Sequence, residues 1–591
     1  MSKLLISNNK KNFTEAKSLL MKSGLKKFSE KSSNYINMVV FEKRVHSFGN
    51  FYSPHENEYI AVSGTLLYKG LKGISAIELL LSDFNGNVCE IKKTCIGLYS
   101  LIIKKFDTYY IFNDYYGLYD LYYTNTDVSF FLCNSLSVLL EANDLSEVDV
   151  LECVRENFAG GCCYTKETPF CHVFKMLGDE YLEIKNNDSR YCKIVSEKYL
   201  YSVQYISEQD SINKLKALLE KHTKEIADNF DNIALNCTGG LDSRLSLATL
   251  MTSSSNVQLL YGIGDGILAP TSPGDHKIVK QISKKFSLPL YEMNWKNKEN
   301  SEGCDGKHQD SLFSAYGFYN NIYAGNENVY NEYSGDIPNY PNFMEFGYFL
   351  EALRLREWAE DECEDVFSLD DFVEEYYIDK NLTELVYPEV DLLKLKVKNE
   401  LIELASIHSI QIKDGLISID DFEKLRWNIN RFSDSRIFPL INEFTYSFPI
   451  FSIPEIHELI LKLPASVIRG GRFQVALIKE INSEMMGFRL FSHRRLFKVN
   501  SDNTRTKIIS WKNIADSVIS KFSFMSKPLY SIYRKFYYKN NSFLSNKIYT
   551  EIDMFDTHEI KINHNNFNGS PFVLYYYRQF LIALKHIVKI K

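Results

Sequence analysis

Hydrophobic positions fall into two textures along the chain. Up to about residue 200, apolar residues come in short runs of β-branched and aromatic side chains bounded by Gly, Asp and Asn. Tyr59 to Tyr68 is one such run, interrupted at Gly64. Gly97 to Ile103, Tyr109 to Asp114, Leu121 to Tyr123 and Val128 to Cys133 are others, with a turn at Tyr115-Tyr116-Gly117. Runs of this kind predict strands. From about residue 208 the period lengthens. Between Ser211 and Asn229, Leu215, Leu218, Leu219 and Ile226 recur at helical spacing, with His222 on the same face. Ile233 to Cys237 reads as a short buried strand, followed by a glycine turn and a helix. Gln258 to Gly262 reads as a strand, Asp275 to Phe286 as a helix and Leu290 to Met293 as a strand. Strand–helix–strand alternation predicts a parallel α/β sheet. Residues 350 to 490 read as mainly helical, with no internal repeat and no low-complexity linker.

Composition narrows the class. The 591 residues are 45% hydrophobic and 24% charged, which sets aside disorder, collagen and coiled coil for the bulk of the chain. That length predicts two to four domains. The net charge of −7 argues against a protein built to coat nucleic acid. The charge is uneven, however. Residues 501–591 carry 14 Lys and Arg against 6 Asp and Glu, a net of +8, which leaves −15 on the first 500. No apolar run reaches the roughly 18 residues that span a bilayer. The apolar stretch Leu4-Leu5-Ile6 is too short for a signal peptide. All eleven Cys lie at or before Cys363, and the adjacent pair Cys162-Cys163 lacks metal-type spacing. A cytoplasmic protein with buried, reduced thiols is the expectation.

The run that carries chemistry is Leu235-Asn236-Cys237-Thr238-Gly239-Gly240-Leu241-Asp242-Ser243-Arg244. A buried strand ends in two glycines, and Ser243 opens a helix. Glycines let backbone N–H groups approach a ligand closely. The helix N-terminus adds donors and partial positive charge, and Thr238 and Ser243 add hydroxyls. Such a loop suits pyrophosphate. Asp242 is a carboxylate inside an anion site, which makes sense if a cation such as Mg²⁺ bridges it to phosphates. The plainer alternative is a strand–turn–helix with capping residues. The spaced Gly-Lys-Ser/Thr ending of a Walker loop is absent.

This string resembles the pyrophosphate loop of ATP pyrophosphatases, and its surroundings are similar to the asparagine synthetase family. Tyr261-Gly262-Ile263-Gly264, then Ser272 to Val279, resembles the family's second strand, with the acidic start of the next helix at Asp275. Upstream, Asp114, Gly117, Leu121, Tyr122 and Tyr123 resemble an Asp-x-x-Gly-x-x-x-Leu-Tyr-Tyr pattern of the class II glutamine amidotransferase domain that precedes the synthetase. The resemblance covers roughly residues 50 to 490. It implies an α/β protein. Residues 1–205 would form an N-terminal nucleophile (Ntn)-type β-sandwich and residues 206–500 an α/β ATP-pyrophosphatase synthetase domain; residues 501–591, beyond the resemblance, read as a helical basic aromatic tail.

Three departures matter. Active glutaminase domains of this class use an N-terminal Cys, whereas position 2 is Ser2, a far poorer nucleophile. The Asn-Gly-Glu stretch that grips glutamine is Ser63-Gly64-Thr65 here. The resemblance therefore implies a domain that hydrolyses no glutamine and packs structurally on its neighbour. Second, the loop bearing another metal-binding Asp and a catalytic Glu best matches Glu345 to Arg354. Glu351 and Arg354 fall in place, but Leu350 replaces the Asp. Glu351 or Glu345 compensates, or the second metal contact is lost. Ser334-Gly335-Asp336 is a rival location, and a solvated helix carboxylate is the plainer reading of Glu351. Third, the family's amide-forming Lys aligns with Gln474. Arg472 would supply the cation instead, stabilising an oxyanion without moving protons; a surface Arg beside a turn is the plainer reading.

The resemblance implies ATP and Mg²⁺ as cofactors. Thr238, Gly239, Gly240, Asp242 and Ser243 would hold pyrophosphate, with Asp242 on the metal. Leu235, Tyr261 and Gly262 would flank adenine, and Glu351 and Arg472 would be catalytic. The implied reaction adenylates a carboxylate and passes it to an amine, in surface-polysaccharide or peptide natural-product assembly. Glutamine-hydrolysing asparagine synthesis and a catalytically inactive ATP-binding scaffold are the alternatives. Transfer-RNA modification would need a basic face that the first 500 residues lack. In the tail, aromatic residues such as Tyr533 and Phe536 interleave with Arg534 and Lys535. This pattern reads as helices packing on the synthetase or as a surface for anionic lipid.

Overall fold

The computed structural model describes residues 3–33, 35–125, 129–145, 165–185, 192–196, 207–254, 256–263, 273–294, 337–353, 366–374, 390–408, 410–468, 471–492, 495–499 and 505–507, with single positions between 147 and 155. Ser2, Cys162-Cys163, Ser334-Gly335-Asp336, Arg354 and nearly all of the basic tail lie outside the described residues. Among the described residues no helix is long and apolar enough to cross a membrane.

The first part is a stack of two antiparallel sheets with helices on both outer faces. One sheet contains β1 (Leu4–Ser7), β2 (Phe28–Ser32), β3 (Asn37–Phe41), β8 (Tyr122–Asn125), β9 (Phe130–Cys133) and β10 (Phe174–Lys175), in the order β10-β8-β9-β1-β3-β2. The other contains β4 (Phe51–His55), β5 (Glu58–Gly64), β6 (Tyr99–Lys105), β7 (Thr108–Asn113), β11 (Glu180–Lys185) and β12 (Cys192–Ser196), in the order β12-β11-β7-β6-β5-β4. Side chains alternate along a strand, and here both faces are covered. Leu4, Ile6, Met38 and Val40 meet Tyr59, Ala61, Ile102 and Ile111 between the sheets. Leu5, Val39 and Phe41 face outward against α1 (Lys10–Lys22) through Phe13, Ala16 and Leu20. Ile60, Leu101 and Ile103 face α2 (Gly73–Asp83) through Ala76, Ile77 and Leu80. That double burial explains why the strands read as continuous apolar runs rather than alternating ones.

The Asp-x-x-Gly pattern at Asp114 is a turn with a physical cause. The buried Asp114 carboxylate accepts the backbone N–H groups of Tyr116, Leu118 and Tyr119 at 3.2, 3.0 and 2.8 Å. Gly117 has φ +68°, and a Cβ there would lie 2.5 Å from the Gly178 nitrogen.

The second part opens with α5 (Glu208–Asn229), capped by Ser207 and buried through Leu215, Leu219, His222 and Ile226. Beyond it stands a five-stranded parallel sheet made of β13 (Ile233–Asn236), β14 (Val257–Ile263), β15 (Leu290–Asn294), β16 (Phe343–Phe346) and β17 (Tyr446–Ser447). The order is β15-β14-β13-β16-β17, so β13 is central and has parallel partners on both sides. Two crossover helices, α6 (Leu241–Leu250) and α7 (Pro273–Phe286), link the first three strands. The region expected to be helical supplies α8 (Val390–Ile407), α9 (Ile419–Asp434), α10 (Phe438–Phe444), α11 (Pro454–Leu461) and α12 (Arg472–Asn482), with short strands between some of them.

The two parts are joined by buried polar contacts as well as apolar ones. Asn442 on α10 is wholly buried. Its side-chain oxygen accepts from Lys43 Nζ at 2.8 Å and from Thr65 Oγ1 at 2.5 Å. Its amide nitrogen donates to the carbonyls of Phe438 and Ser447, each at 3.0 Å. Thr65 Oγ1 also accepts the Ser447 N–H at 3.0 Å. The Arg44 and Val45 backbone amides donate to the Glu443 and Phe444 carbonyls, and the Arg44 guanidinium pairs with the buried Glu443 carboxylate. Burial drives the Lys43 ammonium well below its ordinary pKa, so the Asn442 oxygens are what make its place tolerable. Replacing Asn442 with Leu should destabilise the protein by about 2–4 kcal/mol, because Lys43 and Thr65 are then left short of an acceptor. Thermal unfolding reads the change, and an unaltered midpoint would mean that the contacts contribute nothing.

Candidate functional site

The double-glycine loop leaves the carboxyl edge of the central strand. Cys237 N–H donates to the Leu260 carbonyl at 2.9 Å, extending the ladder one residue past β13. Three residues then turn the chain into α6. Gly240 is the N-cap, with φ −74° and ψ 170° and no side-chain cap. The first N–H groups of a helix have no partner inside it, so a loop capped by glycine offers them to a ligand. The turn is closed by hydroxyls instead. Ser243 Oγ accepts the Thr238 N–H at 3.0 Å and lies 2.8 Å from Thr238 Oγ1. Thr238 Oγ1 in turn accepts the Gly240 N–H at 3.3 Å.

Two charged side chains hold the loop from behind. Asp275, in the first turn of α7, accepts the Gly239 N–H at 2.5 Å with one oxygen and the Tyr261 hydroxyl at 3.2 Å with the other. A Cβ on Gly239 would sit 2.5 Å from that same Asp275 oxygen, so the loop needs glycine there. Arg244, wholly buried on α6, donates to the Gly239 carbonyl at 3.0 Å and the Phe488 carbonyl at 2.9 Å, and to the Arg489 carbonyl. Burial lowers its pKa to about 10, which still leaves it charged at neutral pH. Tyr261 stacks on His276, with ring centroids 5.0 Å apart and planes 7° apart. His276 and Lys280 both reach Glu292, at 2.7 and 2.9 Å. Burial, followed by the neighbouring Asp275, pushes the Tyr261 phenol far above its ordinary range.

The structure thus brings Thr238, Gly239, Gly240, Asp242 and Ser243 into one turn. Leu235 and Tyr261 lie at the sheet below it, 0% and 1% exposed, and Gly262 continues β14. Asp242, half-buried, accepts from Gln474 Nε2 at 2.7 Å. Arg472 stands apart: it is exposed at the start of α12, and its guanidinium donates to the Ser466 carbonyl at 2.9 Å. The backbone of Glu351 lies in a short 3₁₀ turn, Leu350–Leu353, while its side chain falls outside the described residues. The segment before that turn presses on the loop. A Cβ on Gly347 would meet the backbone of Asp242 and Ser243 at 3.0 Å. Phe349 follows with φ +70°, an outlier for a bulky residue, and Leu350 is wholly buried.

Glu345 does not present a carboxylate to this loop. It is the register partner of Leu235, it is wholly buried, and both its oxygens face the Ile450 N–H at 3.2–3.3 Å. Burial raises its pKa well above 4.5, which favours the neutral acid.

Phosphates and a cation fit what is present. The loop offers amides and hydroxyls, and Asp242 offers one carboxylate held by a neutral amide. Gln474 Oε1, buried close by, has no hydrogen-bond partner among the described residues. Mg²⁺ is commonly bound through one or two carboxylates with phosphate oxygens and water completing its shell. The roles of Asp275, Arg244 and Glu345 escaped the sequence reading. A trace existed for two of them. Glu345 is a lone charge in an otherwise apolar strand, and Arg244 is followed by the apolar face of α6; a charge so placed must find partners or lose its charge.

No protein-family model matches the chain, and no curated protein sequence matches it significantly. Among solved structures, glutamine phosphoribosylpyrophosphate amidotransferase from B. subtilis is 9% identical, covering 49% of this chain and 90% of its own, with a TM-score of 0.23. The U34-tRNA thiolase from Methanococcus maripaludis is 11% identical, covering 34% and 75%, with a TM-score of 0.17. The nicotinamide mononucleotide (NMN) synthetase from Francisella tularensis is 11% identical, covering 39% and 96%, also at 0.17. Likeness at these TM-scores carries no inference about activity.

Two outcomes follow from the geometry. Gly347→Ala should displace the start of α6 and cost about 1–3 kcal/mol by overpacking; an unchanged melting temperature would show that the contact yields freely. Glu345→Gln keeps an acceptor for Ile450 without a titrating acid. Because the folded pKa of Glu345 is raised, its favourable contribution is complete below pH 4.5 and is lost as pH climbs through the folded value. The Gln variant should therefore melt higher than the parent at pH 8, with the gap closing toward pH 5. A gap independent of pH would contradict the buried acid.

Proposed function

We propose that the protein is an ATP-dependent, AMP-forming amide ligase of the asparagine synthetase type. The observation that carries this reading is the hydroxyl-clipped double-glycine loop on the central parallel strand, with Asp242 beside the uncapped start of α6. In the proposed reaction a substrate carboxylate oxygen bonds to the α-phosphorus of ATP, and the bond to the β-phosphate oxygen breaks. Gly239, Gly240 and the first amides of α6 hold the departing pyrophosphate, and the Thr238–Ser243 clip keeps them aimed. Mg²⁺, held by Asp242, would offset the charge that gathers on the phosphates. An amine then attacks the acyl carbon, the carbon–oxygen bond to AMP breaks, and the amine's surplus proton leaves to solvent. The chain's share is positioning and charge stabilisation.

The amine is proposed to arrive on its own substrate rather than from glutamine. Thr65, in the stretch that would grip glutamine, is wholly buried and committed to Asn442 and Ser447. This supports a structural role for the sandwich. The acid and amine are proposed to belong to surface-polysaccharide or peptide natural-product assembly, in the cytoplasm. A nucleotide-binding scaffold without turnover is the competing reading, favoured by Leu350, wholly buried where the resemblance places a second metal-binding carboxylate. Exchange of labelled pyrophosphate into ATP, screened over a panel of acids, separates the two. Asp242→Asn should reduce that exchange at least 100-fold, since it removes the charge that holds the metal. Exchange retained by the Asn variant would sink the ligase assignment to this loop.

A further inference from the structure

Gln474 lies two residues into α12, behind an N-cap glycine in the left-handed region, Gly471 at φ +66°. Its side chain has no exposed surface. The nitrogen end lies 2.7 Å from Asp242 Oδ1. An ionised carboxylate only accepts, so the amide must turn its NH₂ toward Asp242, and that fixes the direction of the other end. The oxygen end, Oε1, is buried without a hydrogen-bond partner among the described residues. A buried side-chain oxygen with no donor is uncommon and calls for an explanation. This one belongs to the same amide that grips the carboxylate assigned to the metal.

We propose that Gln474 is a positioning residue of the metal–nucleotide site: its nitrogen fixes the Asp242 carboxylate, and its oxygen accepts a hydrogen bond from a water bound to the divalent cation. The inference rests on the adenylation reading above and adds to it a residue that acts through Asp242. Mg²⁺ gives up its waters reluctantly and commonly keeps several of them. Groups outside the coordination shell orient the ligands, and their loss typically costs 10–100-fold in metal affinity. A neutral amide has a specific advantage here. An ammonium at the same distance would hold Asp242 equally well but offset the charge that attracts a cation. An apolar side chain would remove this hydrogen bond from Asp242. Gln474 holds the carboxylate and leaves its charge intact. Arg472, two residues away, is turned to the Ser466 carbonyl.

The test uses the full chain and two variants. Gln474→Met keeps the volume but removes donor and acceptor. Gln474→Lys keeps a donor for Asp242 but removes the acceptor and adds a positive charge. Mn²⁺ is titrated calorimetrically with α,β-methylene-ATP present, and pyrophosphate exchange is followed against Mg²⁺ concentration. Gln474→Met should weaken Mn²⁺ binding about 10–100-fold and regain exchange at high Mg²⁺. Gln474→Lys should weaken Mn²⁺ binding at least as much while melting at the parent's temperature, which separates metal positioning from plain structural support. Mn²⁺ affinities within about twofold of the parent in both variants would overturn the role of Gln474 and leave the ligase reading standing. A parent that neither binds the Mn²⁺–nucleotide nor exchanges pyrophosphate would overturn both.

Discussion

Arg244 and Asp275 grip the two ends of one residue. Arg244 takes the carbonyl of Gly239 and Asp275 takes its N–H, so the peptide planes around this glycine are set from both sides. Loops without regular structure ordinarily adapt to what approaches them. Here the charge of a buried guanidinium is the constraint. Arg244 is sealed from solvent, and the carbonyls of Gly239, Phe488 and Arg489 take the donors of its two terminal nitrogens. The same side chain therefore ties the loop to the segment that follows α12. The helix that supplies Asp242 is thus tied to the segment that leaves the helix supplying Gln474.

That bracing makes the geometry above the sheet one unit. The Thr238–Ser243 clip shapes the turn from within, Gly347 presses on the start of α6, and Asp275 ties the turn to Tyr261 on the next strand. At Gly347 the close neighbour is helix backbone, and at Gly239 it is the side-chain oxygen of Asp275. The position assigned to adenylating chemistry is thus defined by close approach as much as by the polar groups that line it.

The sequence made the architecture readable wherever one interaction dominates a segment. Strands buried on both faces read as apolar runs, and the strand–turn–helix around Thr238 to Ser243 carried its own signature of glycines and hydroxyls. The amphipathic period of α5 was equally plain. Contacts between distant segments were not readable. Gln474 and Asp242 are 232 positions apart, and nothing local to either residue points to the other. The pairing of Asp275 with Gly239 is set by the order of β13 and β14 in the sheet, a tertiary fact. Glu345 had the right residue type for a metal ligand, but a parallel-sheet register placed it in the interior. Short strands were missed for a related reason: Leu4–Ser7 is four residues long and becomes recognisable as a strand only once its two neighbours pair with it.

Asn442 has one more consequence. Its side chain serves the sandwich through Lys43 and Thr65, and the parallel sheet through Ser447. One side chain thus couples the stability of the sandwich to that of the parallel sheet. Deleting the sandwich would remove the Lys43 and Thr65 donors from Asn442 and open the apolar surface that the two halves share to water.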